Sequence, residues 1–247
     1  MLTKNDPPPV EVLNAHSDHP LVLICEHAGQ AIPERLGGLG ISRADLNTHI
    51  GWDIGARAVT QAMAHALGAP AVFQRYSRLV IDCNRPPDAS DAMPMVSDGV
   101  DIPGNRGLGQ KGRDARRQEI FDPFHHAVAT CFAQHPRRMV LSIHSFTPTM
   151  DGINRPWDIG FLFRKDTETS RHLERFVREA RPHLTIGMNQ PYQIDDRSDW
   201  FVPRHGEARG LPHSLIEIRN DLIQKPEGHT EWANTLVEAA TRYLEDI

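Results

Sequence analysis

The sequence predicts an α/β protein built on a mainly parallel β-sheet that is covered by helices. Short apolar runs of strand length alternate along the chain with longer segments of helical periodicity, which is typical of such a sheet. The 247 residues, 39% of them hydrophobic, are enough for one sizeable domain with a packed core. We expect residues 1–18, which are polar and rich in proline, to form a surface arm and residues 19–247 to form a single α/β domain.

The predicted elements follow one another in that alternating order. They are strand 21–24, helix 42–68, strands 71–74 and 79–83, helix 113–134, strands 139–143 and 159–163, helix 167–181, strands 185–188 and 215–222, and helix 231–244. Ser42 and Asp45 resemble a capping box at the start of the first helix, and Gly68 is a natural stop after it. Pro123 fits the second helix only as a kink or as a new helix start.

Two long segments without regular periodicity are candidates for active-site loops. Residues 86–112 are dense in Pro, Gly and Asp, and so long a connection in a compact domain is usually a lid or a binding loop. The alternative is a disordered insertion. Residues 195–210 are polar and irregular and form the second candidate loop.

Composition and charge exclude several classes of protein. The formal net charge of −5 provides no basic surface for nucleic acid or for an anionic membrane. No segment reaches the roughly 18 to 20 apolar residues of a membrane span, and the proline-rich start does not resemble a signal peptide. Three widely separated cysteines, Cys25, Cys83 and Cys131, indicate buried thiols in a reducing compartment. We therefore expect a cytoplasmic protein.

Two predicted strands end in a histidine, and these two residues indicate a metal site. His27 follows the first strand and His144 follows the strand that begins at Met139. If the strands are parallel neighbours, both imidazoles lie at one edge of the sheet, within reach of a single ion. A catalytic zinc takes three protein ligands, and Asp53 is the preferred third, with His49 one helical turn before it and Glu26 as weaker alternatives.

Glu217 is a candidate general base because it lies inside an apolar strand. Period-2 alternation places Glu217 and Arg219 on one face of this strand, opposite Ile216 and Ile218. A buried carboxylate without a partner is unfavourable, so its presence suggests a function that uses a raised pKa. Arg219 is either an ion-pair partner for Glu217 or a substrate-binding residue on the same face.

The segment from Arg78 to Arg85 supplies groups that recognise a carboxylate. Arg85 and the neighbouring Asn84 stand at the end of the predicted strand 79–83, where they resemble a clamp for a substrate carboxylate. Arg78 lies at the other end of this strand. It is a candidate for stabilising an oxyanion, or for a structural ion pair with Asp82.

With these residues the chain resembles the N-formylglutamate amidohydrolase family, and more distantly the zinc carboxypeptidases and aspartoacylases. The resemblance extends from about Leu21 to Leu222. It is carried by Glu-His-Ala-Gly at 26–29, Gly-Trp-Asp-Ile-Gly-Ala at 51–56, Ser-Arg-Leu-Val-Ile-Asp-Cys-Asn-Arg-Pro-Pro at 77–87, Ile-His-Ser-Phe-Thr-Pro at 143–148 and Leu-Ile-Glu-Ile-Arg-Asn-Asp-Leu at 215–222.

The resemblance implies a three-layer fold whose sheet is mixed, although mostly parallel, as in the zinc carboxypeptidases. It implies one Zn²⁺ per chain with His27 and His144 as ligands, and Glu217 as the catalytic glutamate. The carboxypeptidase-type motif has a glutamate three residues after its first histidine, whereas this chain has Gln30 there. An amide is a poor zinc ligand, so the third ligand must come from elsewhere, and Asp53 is the nearest candidate.

These observations together predict a metal-dependent amidohydrolase that releases the acyl group of an N-acylated acidic amino acid, most plausibly N-formyl-L-glutamate. The alternatives are another N-acyl amino acid hydrolase, a carboxypeptidase-like peptidase, or a homologue that binds metal or ligand without catalysis. A serine hydrolase is disfavoured because the chain contains no G-x-S-x-G motif.

Overall fold

The computed structural model of the protein describes residues 1–195 and 197–247. The protein is built around a seven-stranded mixed β-sheet with helices on both faces. The strands are β1 (Val10–Leu13), β2 (Leu21–Cys25), β3 (Ala71–Gln74), β4 (Val96–Ser97), β5 (Val100–Asp101), β6 (Met139–Phe146), β7 (Thr149–Met150), β8 (Ile153–Asn154), β9 (Ile159–Leu162), β10 (Ile186–Met188) and β11 (His213–Arg219). The helices are α1 (Arg43–Leu46), α2 (Ala56–Leu67), α3 (Gln110–Arg116), α4 (Asp122–Gln134), α5 (Thr167–Ala180) and α6 (Pro226–Asp246).

The strand order in the sheet is β1-β3-β2-β6-β11-β9-β10. The four central strands β3, β2, β6 and β11 are parallel. At one edge β1 is antiparallel to β3, and on the other side β9 and β10 run antiparallel to β11. The mixed, mostly parallel sheet is therefore confirmed.

Two apolar layers enclose the sheet. One face packs against α2, α5 and α6 through residues such as Leu23, Leu141 and Ile216. The other face packs against α4 and the long connections through Val22, Val140 and their neighbours. Strands buried on both faces read as continuous apolar runs, which is why the central strands were recognisable in the sequence.

The expected surface arm contributes to the sheet. Residues 10–13 pair with β3 as the edge strand β1, with Val12 opposite Val72. The α-amino group of Met1 and the backbone N–H of Leu2 donate to the carboxylate of Glu119, so the start of the chain is bound to the helical layer.

The predicted strand 79–83 is wrong. Leu79, Val80 and Ile81 are buried in the second apolar layer and pair with no strand. The first two lie in a turn, and Ile81 lies in the irregular chain that follows it. Their backbone is satisfied locally, since Val80 N–H donates to Ser77 O and Asp82 N–H donates to Ala92 O. The apolar run reflects burial, which a buried turn and a strand share.

The predicted helix 42–68 is interrupted. The Ser42 hydroxyl accepts from Asp45 N–H as expected of a cap, but α1 ends at Leu46 and α2 begins only at Ala56. Gly55, directly before α2, has a φ of +84°, and a Cβ there would lie 2.0 Å from Ile223 O. Only glycine fits that position. The chain between the two helices forms the turn that carries Asp53.

The two predicted loops contain short regular elements. Residues 86–112 include the hairpin β4–β5 and the start of α3, and a π-helical segment, Arg117–Phe121, joins α3 to α4 just before Pro123. In the described part of 195–210, helical turns span Val202–Gly206 and Glu207–Arg209, while Asp196 lies outside the described residues. All three cysteines are buried free thiols. None of the helices in the described chain combines the length and the apolar character needed to cross a bilayer.

Candidate active site

The sheet brings together three side chains that offer metal-ligating atoms. His27 follows the end of β2, and His144 lies in the carboxyl-terminal half of the neighbouring strand β6. Asp53 comes from the turn before α2, where its backbone N–H donates to His27 O at 3.1 Å. All three residues are at most 3% exposed.

The ligating atoms of this cluster converge on one point. His27 Nδ1 and His144 Nδ1 are 3.1 Å apart, and Asp53 Oδ2 lies 3.2 Å from the first and 2.8 Å from the second. Ligands at about 2.0 to 2.1 Å from a tetrahedral zinc ion are about 3.3 Å from each other. The donor set and its spacing therefore fit a zinc-type ion.

Each imidazole is held by a second carboxylate on its other nitrogen. His27 Nε2 lies 2.7 Å from Asp82 Oδ1, and His144 Nε2 lies 3.0 Å from Glu26 Oε2. A hydrogen bond of this kind fixes the ring so that the opposite nitrogen is free to bind a metal. Glu26 is thus not one of the converging ligands but a partner of His144, and Ser142 Oγ donates to it at 2.5 Å.

The electrostatics of the cluster favour a bound cation. Burial lowers the pKa of both imidazoles, but the surrounding carboxylates outweigh it, so the pKa of His27 is raised and that of His144 is well above its usual value. Burial opposes ionisation of Asp53 and Asp82, yet both carboxyl pKa values lie below their usual range. His27 and His144 lower the pKa of Asp53, and Arg78 followed by His27 lowers that of Asp82. Protons on the imidazoles balance the carboxylates here, and a metal ion can replace those protons.

The position of Asp53 differs from the prediction, which placed it in a helix one turn after His49. Asp53 lies in a turn, and His49 Nε2 instead lies 3.0 Å from Asp98 Oδ2 in the β4–β5 hairpin. His49 therefore lines the same cavity without joining the ligand cluster. The side chain of Asp53 also accepts a hydrogen bond from Ser145 N–H at 3.2 Å, which ties it to β6.

Glu217 lies beside the cluster. It occupies β11 directly opposite His144 in the parallel register and is 6% exposed. Its Oε2 atom is buried and has no hydrogen-bond partner among the described residues. Burial, the largest influence, raises the pKa of Glu217 to about 7. A carboxylate at this pKa can exchange a proton near neutral pH.

Arg78 bridges two carboxylates of the site. Its guanidinium donates to Asp82 Oδ2 from Nε and Nη2, at 3.1 and 2.7 Å, and to Asp53 Oδ1 from Nη1 at 3.3 Å. These bonds use three of its five N–H groups. Arg78 also lines the cavity. Its structural pair with Asp82 therefore leaves N–H groups that can donate to a second partner.

Arg85 and Asn84 occupy different environments. Arg85 lines the cavity and forms a half-exposed ion pair with Asp91, at 3.2 Å. The buried Asn84 amide oxygen accepts from the backbone N–H groups of Trp200 and Phe201, and its nitrogen donates to Asp199. Asn84 thus connects two loops that line the cavity, and Arg85 is the more available group for a substrate carboxylate.

The structure does not bring Arg219 to the cavity. Its guanidinium is engaged by Asp221 at 2.8 Å and by Asp158 at 3.2 Å, both outside the site, and it forms no ion pair with Glu217 among the described residues. The guanidinium of Arg219, the last residue of β11, therefore does not lie in the cavity with Glu217.

The metal-ligand candidates, His49, Arg78, Asp82, Asn84, Arg85 and Glu217 line one open cavity of about 630 Å³, whereas Glu26 lies behind His144 and Arg219 lies outside it. Sequence reasoning did not identify three residues of the site: Asp82 and Glu26 as holders of the imidazoles, and Tyr192 in the cavity wall. The charged pattern Arg78-x-x-x-Asp82 was a signal for the first. Nothing in the local sequence marks Tyr192 as a residue of the site. It lies in the segment that follows β10, the strand at the far edge of the sheet.

Comparisons with known proteins identify the family of the chain. The family model of the N-formylglutamate amidohydrolases matches residues 19–224. The gene product Atu2144 from Agrobacterium tumefaciens has a solved structure that is 37% identical, with a TM-score of 0.94, over 99% of this chain and 98% of that chain. No curated protein matches the chain at the significance required.

Two more distant structures share the fold. N-formylglutamate amidohydrolase from Ralstonia eutropha JMP134 is 20% identical, with a TM-score of 0.66, over 97% of this chain and 98% of that chain. A bacteriophage poly-gamma-glutamate hydrolase is 12% identical, with a TM-score of 0.51, over 96% and 90%. With the family match covering most of its length, the chain belongs to the N-formylglutamate amidohydrolase family and is a hydrolase of that family.

Proposed function

We propose that the protein is a zinc-dependent amidohydrolase that cleaves N-formyl-L-glutamate to formate and L-glutamate. The observation that carries the proposal is the convergence of His27 Nδ1, His144 Nδ1 and Asp53 Oδ2 in a chain of this family. Beside them lies the buried Glu217, whose Oε2 atom has no hydrogen-bond partner among the described residues. In this proposal one Zn²⁺ is held by those three residues. When bound, the ion supplies Lewis acidity toward the amide carbonyl and toward water.

Glu217 is proposed to move the protons of the reaction. As a carboxylate it takes a proton from the attacking water, and then delivers that proton to the nitrogen of the departing amino acid. Its burial supports this role, because burial raises the pKa of the carboxyl and makes it a stronger base than an exposed glutamate. Arg78, which lines the cavity, is proposed to stabilise negative charge on the carbonyl oxygen.

Arg85 is proposed to bind a carboxylate of the substrate. Its present partner Asp91 is 57% exposed at the side chain, so the ion pair is weak and a substrate carboxylate can exchange for it. Asn84 supports this site by holding the loop that begins at residue 199, rather than by gripping the substrate with its amide oxygen.

A panel of three formylated amino acids tests the proposal. We expect formate release from N-formyl-L-glutamate with a kcat/KM at least tenfold above that for N-formyl-L-glutamine and N-formyl-L-leucine, because only the first offers a side-chain carboxylate to an arginine. Equal rates on all three would show that Arg85 does not recognise the side-chain carboxylate of the substrate. Absence of formate release from all three, with metal supplied, would refute the proposed function.

A further inference from the structure

Four of the exposed large hydrophobic residues in the described chain lie in, or next to, segments that line the active-site cavity. Five large hydrophobic residues are exposed in the described chain, and Ile247 at the end of α6 is the one outside this region. Val96, 54% exposed, and Tyr192, 39% exposed, line the cavity. Met95 precedes Val96, and Ile153 pairs with the cavity-lining Met150 across the β7–β8 hairpin. Exposed apolar surface collected at one place usually marks contact with an apolar group.

The basic side chains at the cavity's edge and one group of its apolar side chains come from different halves of the sheet. His49, Arg78 and Arg85 come from the connections around β3, at one half of the sheet. An apolar wall, formed by Leu162, Pro191, Tyr192, Ile194 and Leu215, comes from β9, β11 and the segment after β10, at the other half. Leu215 lies two residues before Glu217 on the same face of β11, opposite Leu162, so the wall begins directly beside the proposed base.

The apolar wall is held in place by specific contacts. Arg155 donates to Tyr192 Oη at 3.0 Å, with its guanidinium 4.8 Å from the ring centre, and contacts Met150 Sδ at 2.8 Å. Gly160, opposite Glu217 on β9, allows the segment of Pro191 to lie against the sheet, because a Cβ there would be 1.8 Å from Gln190 O. This wall is therefore a built feature of the site.

The size of the cavity exceeds what N-formyl-L-glutamate needs. Cavities of about 300 to 1,000 Å³ hold drug-sized ligands, whereas N-formylglutamate has only about twelve non-hydrogen atoms. The volume here is about 630 Å³. A formyl group carries a single hydrogen on its carbonyl carbon and makes no use of an apolar wall that reaches the rim.

We propose that this site also hydrolyses N-acyl glutamates whose acyl group is an apolar chain longer than formyl, with that chain lying along the apolar wall and leaving past the rim. This inference rests on the proposed function. A trans amide directs its two substituents away from each other. Once the amino-acid carboxylate is bound at Arg85, the acyl chain points toward the half of the sheet that carries Tyr192. Water adds its oxygen to the acyl carbon as the C–N bond breaks, and the products are a carboxylic acid and L-glutamate.

A homologous series of substrates tests the inference. The release of L-glutamate is measured for N-formyl-, N-acetyl-, N-butyryl-, N-hexanoyl- and N-octanoyl-L-glutamate, so that one assay serves every member. Each fully buried methylene favours binding about fourfold, and half-buried ones about twofold, so we expect kcat/KM to rise about tenfold or more from acetyl to hexanoyl. A steady fall from formyl onward would overturn the inference and leave the proposed function intact.

A rim variant and a matched control locate the effect. Ile153→Ser changes a side chain that is 69% exposed, so it does not threaten the fold. It should lower the ratio of octanoyl to formyl kcat/KM by two- to fivefold, and Tyr192→Ala should lower it further. Ile247→Ser, an equally conservative change at the other exposed isoleucine, should leave the ratio unchanged. An unchanged ratio in the first two variants would overturn the assignment of this surface to the acyl chain.

Two further outcomes separate this inference from the proposal on which it rests. Hydrolysis of the longer acyl substrates without hydrolysis of N-formyl-L-glutamate would support the acyl-chain assignment and refute formyl as the natural group. Hydrolysis of no member of the series by the zinc-loaded protein would overturn both.

Discussion

Replacing Glu217 by glutamine separates the chemical role of this residue from a structural one. Glutamine keeps the shape of the side chain but cannot accept a proton at neutral pH. We expect kcat for N-formyl-L-glutamate to fall by roughly two to four powers of ten, the range typical of removing a general base, with KM little changed. Zinc affinity should stay near that of the parent, since Glu217 is not among the converging ligand atoms.

The stability of the metal-free protein provides a second readout. Burial raises the pKa of Glu217 from its ordinary 4.5 to about 7, so at pH above 7 the buried carboxylate costs on the order of 3 kcal/mol of folding free energy. This cost is absent at pH below the unfolded-state value, where the group is protonated in both states. The glutamine variant escapes the cost, although its own unpartnered amide offsets part of the gain.

We therefore expect the metal-free variant to match or exceed the parent in Tm at pH 8, by up to several degrees, and this advantage to vanish near pH 4.5. Thermal unfolding and a coupled formate assay measure the two effects on the same preparations. Near-parental activity together with a lowered Tm would show that Glu217 is a structural partner in the sheet, and would refute its assignment as the base.

Three further predictions address the surroundings of the site. Arg85→Ala should raise KM for N-formyl-L-glutamate by a factor that corresponds to about 2 kcal/mol. Asp91→Asn, which frees Arg85 from its ion pair, should lower KM or leave it unchanged. An equal rise of KM in both variants would argue against binding of a substrate carboxylate by Arg85. Asp82→Asn and Glu26→Gln should each weaken zinc binding by about 10- to 100-fold in a chelator competition, and unchanged affinity in both would show that the imidazoles need no second carboxylate. Proteolysis within 86–112 should slow when the inactive glutamine variant is saturated with N-formyl-L-glutamate, and cleavage at the same rate would contradict closure of this loop over substrate.

The parts of the fold that could be predicted are those with a strong local signal. The central strand β2 is a continuous apolar run and β6 begins with one, and the amphipathic α5 was predicted almost to its ends. The run at 79–83 misled the prediction because its three apolar residues are as buried as those of a strand. Whether a buried segment forms a strand or a turn depends on where its backbone N–H groups find acceptors. Here the carbonyls of Ser77 and Ala92, both outside the run, accept those hydrogen bonds.

The candidate site was predictable where strand ends carry its residues. His27, His144 and Glu217 belong to neighbouring strands, so their proximity follows from a parallel sheet order. The role of Glu26 was not predictable in this way, because it depends on the distance between its carboxylate and the far nitrogen of His144. For Arg219, period-2 alternation predicted the same face of the strand as Glu217. Its guanidinium instead forms ion pairs with acidic residues outside the strand.

A zinc titration of the metal-free protein tests the central claim most directly. Activity on N-formyl-L-glutamate and bound zinc are measured together as Zn²⁺ is added to the parent protein and to His144→Ala. The account predicts negligible activity without metal, full activity at one zinc ion per chain, and neither tight binding nor activity in His144→Ala. Full formate release by the metal-free parent, or full zinc occupancy in His144→Ala after dialysis, would contradict the assignment of the site to His27, Asp53 and His144.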